Sequence, residues 1–143
     1  MSTEKNKAII QRWIEEAWNK GNVNIADEIY APDYTAQDIN NPERILRGPA
    51  GIKLSVMEMR SSFPDIHFTI DHLVAEGDKV VGAFTIRGTH KGSLLDIPAT
   101  GKTVTFTAVD VWRFEKGKIV ERCCANVDRL GLLQQLGVVP SIG

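Results

Sequence analysis

Asp110 is the residue of this sequence best placed to do chemistry. From Val104 to Phe114 the chain alternates. Val104, Phe106, Ala108, Trp112 and Phe114 share one face, and Thr105, Thr107, Val109, Val111 and Arg113 share the other. Asp110 falls on the apolar face. A carboxylate there is paired, protonated or functional, because burying a lone charge is costly. Desolvation raises its pKa and makes it a base or a neutral hydrogen-bond donor. Lys116-Gly117 reads as a tight turn. Pairing across it puts Phe114 opposite Ile119, Trp112 opposite Glu121 and Asp110 opposite Cys123. Glu121 then shares a wall with Asp110, and two such carboxylates push their pKa values apart. The plainer reading of Glu121 is a solvated rim or ion-paired residue.

Cys123 and Cys124 are the two cysteines. Strand alternation turns only one of them inward, and packing thiols are the simple reading, since a reactive thiol needs a cation or base beside it. Trp13, Trp18, Tyr34, Phe63 and Trp112 are candidates to line a pocket for a flat apolar ligand, with ordinary core packing as the alternative. Tyr34 and Gln37 are polar candidates near the expected pocket mouth. His90 ends a strand before a long loop, where it can edge a pocket. His67, His72 and His90 have no metal-ligand spacing and there is no HExxH. No metal site is expected.

The elements that must position these residues come in two runs. Ile10, Trp13, Ile14, Ala17 and Trp18 recur at helical spacing, and Gly21 ends the stripe. A short helix from about Val23 to Tyr30 stops at Pro32, and Asp33 to Asn41 reads as extended and then looped. Pro49 opens a third helix whose stripe is Ile52, Val56, Met59 and Phe63. From Ile66 the period changes to two, giving strands around 66–71, 79–90, 104–114 and 119–127. A short helix from Leu130 to Leu136 follows. Helices first, then hairpin-linked strands, is an α+β order. Its economical packing is a strongly curved antiparallel sheet wrapped around the N-terminal helices, a cone-shaped barrel with an internal pocket.

The chain has 143 residues, 43% hydrophobic, with net charge −1. This suits a single domain over 1–143 and offers no basic surface for nucleic acid. The N-terminus lacks the apolar core of a signal peptide, and no stretch is long and apolar enough to span a bilayer. A cytoplasmic protein with reduced thiols is expected.

Several stretches together resemble one family. AWNKGNVNIADEIYAPDY follows the first helix, RGPAGIKLSVMEMRSSFPD spans the third, and GTHKGSLLDIPATGKTVTF precedes the hairpin. FEKGKIVE and DRLGLLQQLG close the chain. The sequence resembles the SnoaL-like polyketide cyclases, also called ester cyclase-like, over nearly its whole length. The resemblance implies a cystatin-like α+β barrel, the fold of nuclear transport factor two and ketosteroid isomerase. It also implies a cofactor-free intramolecular aldol closure, in which an aspartate on the last strand removes a proton next to a carbonyl. That aspartate's place falls here on Cys124 or Ala125, and Gln37 stands where many relatives carry a histidine.

Two functions follow as expectations. One is a cofactor-independent cyclase or isomerase acting on a small apolar carbonyl compound. Asp110 or Glu121 is its base, and Trp13, Tyr34, Gln37, Phe63, His90, Trp112, Cys123 and Ala125 surround its ligand. The other is a non-catalytic ligand-binding or structural protein of the same fold. A homodimer through the sheet face carrying Thr105, Thr107, Val109 and Val111 is expected under either.

Overall fold

The computed structural model describes residues 2–38 and 41–140, without the side chains of Gln37, Asp38, Asn41, Pro42 and Arg44. Ser2 caps helix α1 (Thr3–Trp13) by accepting from the Lys5 N–H at 3.1 Å. The helix then widens into a π-helical segment, Ile14–Asn19. Widening rotates the stripe so that Ile10, Trp13, Ile14, Ala17 and Trp18 all stay buried. Asn19 ends the segment by imitating a strand. Its Nδ2 donates to the Phe68 carbonyl (3.1 Å) and its Oδ1 accepts the Phe68 N–H (2.7 Å). A 3-10 turn, Val23–Ile25, leads into α2 (Ala26–Ile29).

The chain then forms β1 (Tyr30–Asp38) and β2 (Asn41–Arg47), helix α3 (Gly48–Ser62), and the meander β3 (His67–Glu76), β4 (Lys79–Thr89), β5 (Thr103–Glu115) and β6 (Lys118–Val127). It ends with α4 (Arg129–Gln135). The six strands lie in the order β2-β1-β6-β5-β4-β3. The expected α+β fold, a sheet wrapped on N-terminal helices, is the one found, and the sheet is open rather than closed. Four strand pairs are antiparallel. The fifth, β1 with β6, is parallel. Hairpins can join only antiparallel neighbours, so the partners in this pair are separated by the rest of the sheet. In the segment expected to be extended and then looped, residues 33–38 are extended in a paired strand, because β6 supplies its partner, and the expected loop at 39–40 lies outside the described residues.

Alternation is strict on β5, where Val104, Phe106, Ala108, Asp110, Trp112 and Phe114 are all buried. The Lys116-Gly117 turn forms as expected, with both residues at positive φ (51° and 78°). The inner sheet face meets α1 at β3 and β4, α3 at β1 and β2, and α4 at β5. Packed aromatic rings form its centre. Trp13 meets Tyr30 edge-on at 4.9 Å, Tyr30 meets Tyr34 at 4.6 Å, and Phe84 meets Trp112 at 5.9 Å.

Candidate functional site

The β5–β6 ladder decides which side chains can act together. Phe114 pairs with Ile119 as expected. Two shifts of register then follow, one at Val120 and one at Cys123. Each inserts one extra residue into β6 and turns the residues beyond it to the other face. Arg113 therefore pairs with Glu121, Trp112 with Arg122, Val111 with Cys124 and Asp110 with Ala125. The expectation that Glu121 shares the wall of Asp110 is corrected: Arg122 takes that place.

Glu121 lies on the outer face instead. Its Oε1 accepts from Arg113 Nε (3.3 Å) and from Cys123 Sγ (3.1 Å), which hold its carboxyl below the usual range. Cys123 is exposed on that face rather than opposite Asp110. Partial burial and the Glu121 carboxylate raise its thiol pKa, so it is a poor nucleophile there.

Between α3, α4 and the inner sheet face lies a cavity of about 730 Å³, within the range of small-molecule sites. Trp18, Ile66, Phe68, Ile86, Phe106 and Leu132 form much of its apolar wall. Asp110, Arg122, Arg129 and Glu58 bring charge to it, and Ala125 adds only a methyl group. Trp18 stacks on Phe68 with ring centroids 4.5 Å apart, which fixes this end of the wall.

Asp110 is 8% exposed. Burial drives its pKa up, and the Arg122 charge pulls it partly back, leaving it at about 6. Burial disfavours the carboxylate, and a nearby guanidinium favours it. The result is a group that changes protonation near neutrality, as a general base must. Behind this pair stand two buried phenols. Tyr34 is raised to about 12 by desolvation, which outweighs the opposing pull of Arg122. Tyr30 is raised as well, again chiefly by desolvation. Both phenols are neutral at any working pH.

Of the residues singled out in the sequence, Trp18, Asp110 and Ala125 line the cavity. Trp13, Tyr34, Phe63 and Trp112 are buried at 1% exposure or less and do not line it; they form the core behind the wall. The side chain of Gln37 lies outside the described residues. His90 is fully buried against Phe63, at 5.6 Å between rings, and it ties down a loop instead of edging the cavity. The Thr100 N–H donates to its Nδ1 (3.2 Å), so the ring proton sits on Nε2. Arg122, Arg129 and Phe68 reach the cavity and were not expected there. Arg122 was hidden by the bulge at Val120, which leaves no mark in a pattern of alternation. Among the described residues, no group of three or more His, Cys, Asp or Glu side chains is arranged to hold a metal ion. No helix among them is long and apolar enough to cross a membrane.

A family model for SnoaL-like polyketide cyclases matches residues 8–136. No curated protein matches the chain. Among solved structures, a protein proposed to be a polyketide cyclase, from Acidithiobacillus ferrooxidans, is 35% identical at a TM-score of 0.82. The match covers 96% of this chain and 98% of that one. AclR of Streptomyces galilaeus, proposed to be a hydroxylase, is 25% identical at a TM-score of 0.85, over 99% of this chain and 87% of its own. A hypothetical protein with a ketosteroid isomerase-like fold from Catenulispora acidiphila superposes at a TM-score of 0.75 with 20% identity, over 92% of this chain and 93% of that one. It is alike in fold.

Proposed function

Since the chain belongs to the SnoaL-like polyketide cyclase family, we propose that its cavity binds a small, apolar, carbonyl-bearing compound and that Asp110 acts on it as a cofactor-free base. The observation that carries this reading is the placement of Asp110 beside Arg122 where the cavity wall meets Phe106, Ala108 and Ala125. The carboxylate of Asp110 takes a proton from the carbon next to the ligand's carbonyl. The electron pair of the broken C–H bond moves to the carbonyl oxygen, and the Arg122 guanidinium stabilises the enolate so formed. In an aldol closure the enolate carbon then attacks a second carbonyl of the same molecule. The new alkoxide recovers the proton from Asp110, and the net change is one carbon–carbon bond. In an isomerisation the proton returns to a different carbon.

Arg122 matters because it acts twice: it lowers the pKa of the resting base and stabilises charge as it develops on the ligand. A low-dielectric wall strengthens both effects. The place that the family resemblance gives to a last-strand aspartate is Ala125 or Cys124. In this chain any proton transfer therefore runs through the neighbouring strand.

One observation favours a second reading, a non-catalytic binder. Ala125 contributes only a methyl group where a second carboxylate would complete an acid–base pair. Asp110→Asn separates the two. The test follows solvent deuterium entering the α-position of a β-keto ester, alongside the ester's affinity measured by calorimetry. A base predicts a fall in exchange of at least a hundredfold with affinity retained. Equal exchange in both proteins removes the catalytic reading and leaves the binder.

A further inference from the structure

The rim of the cavity carries three large apolar side chains among polar ones. Leu54 and Met57 on α3 and Leu95 on the loop after β4 all line the cavity, yet they are 51%, 55% and 58% exposed. A mouth whose only task is to admit a compact polar-edged ligand gains nothing from three half-exposed large apolar side chains.

Leu95 is also held there against its conformational preference. Leu94 and Ile97 close a two-residue hairpin, with Leu94 N–H donating to the Ile97 carbonyl (3.0 Å) and Ile97 N–H to the Leu94 carbonyl (2.7 Å). Its central residues, Leu95 and Asp96, have φ of 47° and 65°. Asn and Gly are the usual occupants of such positions, and a leucine there is strained.

The hairpin is fastened to the helix that carries the other two rim residues. Ser62 Oγ donates to the Ser93 carbonyl (2.7 Å), and the N–H groups of Lys91 and Gly92 donate to the Ser62 carbonyl (3.0 and 3.1 Å). A Cβ on Gly92 would collide with the Ser61 carbonyl oxygen, so this close approach requires glycine. Leu54, Met57 and Leu95 are therefore one rigid lip, continuous with the cavity, while Asp110 and Arg122 form the buried charged pair at its inner wall.

We infer that the ligand is a linear amphiphile, with its carbonyl end at Asp110 and Arg122 and an apolar tail that leaves the cavity across the lip formed by Leu54, Met57 and Leu95. The inference rests on the proposal that the cavity binds a carbonyl compound, and it adds the shape of that compound. A compact polycycle would end inside the cavity and leave the lip bare. A chain longer than the cavity covers it.

Calorimetry with a homologous series of straight-chain methyl 3-oxoalkanoates, butanoate to tetradecanoate, tests the inference on the intact protein. Affinity is expected to rise about two- to fourfold per added methylene while the tail crosses apolar surface. In Leu54→Ser/Met57→Ser the loss should grow with chain length. Leu95→Gly should melt at a higher temperature than the parent, because it relieves the turn, and yet bind the long esters more weakly. A length dependence identical in parent and variants overturns the inference. So does a dimer in sedimentation that dissociates on rim substitution with binding unaffected, which would make the lip a contact between copies. If no ester of any length binds, the reading of the cavity fails first. If short esters bind and length has no effect, only the linear tail is lost.

Discussion

Trp112 and Arg122 face each other across the β5–β6 ladder, and this pairing puts a guanidinium on the same wall as Asp110. Plain hairpin pairing from the Lys116-Gly117 turn would have put Glu121 there. The difference is the sign of the charge beside the base. A second carboxylate would raise the Asp110 pKa, whereas Arg122 lowers it from the value burial alone would set.

Asp110 makes the protein less stable as it ionises. Its folded-state pKa is about 6 against an ordinary value of 3.8. Below the lower value it is protonated in both states. As pH rises through the window, the unfolded chain releases its proton first, and stability falls until the folded group has ionised too. The full fall is about 3 kcal/mol. Asp110→Asn should lack it. Urea denaturation of both proteins between about pH 4 and pH 7 checks this; parallel curves for the two would refute it. Taking the difference between the proteins cancels the contribution of carboxylates such as Asp65. Hydrogen bonds from Thr89 lower the Asp65 pKa, so its stabilisation is lost as pH falls.

Arg122→Gln removes the charge that favours the Asp110 carboxylate, so the pKa should move above 6. Carbon-13 chemical shifts of the Asp110 carboxyl report this directly. Any exchange activity should shift its pH dependence in the same direction. An unmoved titration would mean that the two side chains do not interact.

Gly92→Ala should destabilise the protein by about 1–3 kcal/mol, because the new methyl group meets backbone and not a side chain that can turn aside. Hydrogen exchange should speed up in the segment from Lys91 to Thr103, which His90 anchors through its backbone bonds to Lys102 and Gly101. The β5–β6 ladder should be unaffected. Loss of protection spread evenly over the sheet would contradict this local account.

Val74, Val81 and Val111 lie in register across β3, β4 and β5 on the outer face. Val74 and Val81 are exposed, as is nearby Val109. A second copy of the chain, packed through this face about a two-fold axis, would cover them. Sedimentation velocity should find a dimer in the parent and a monomer after Val81→Lys. A monomeric parent rules the interface out.

Local chemistry determined much of this molecule. Alternation alone placed Asp110 among Phe106, Ala108 and Trp112 on the inner face, and Lys116-Gly117 specified its own turn, because both depend on neighbours in the chain. Helical spacing placed Trp13, Ile52 and Val56 in the core. Tertiary structure decided the rest. The bulges at Val120 and Cys123 lie where β6 pairs with β5 on one side and in parallel with β1 on the other, and β1 is far away in sequence. They exchanged Glu121 for Arg122 at the cavity wall and put Cys123 outside. The distinction between core and cavity wall was equally remote. Periodicity shows that Trp13, Phe63 and Trp112 point inward, but only the placement of α3 and α4 over the sheet shows that Trp18, Phe68 and Phe106 meet the open space.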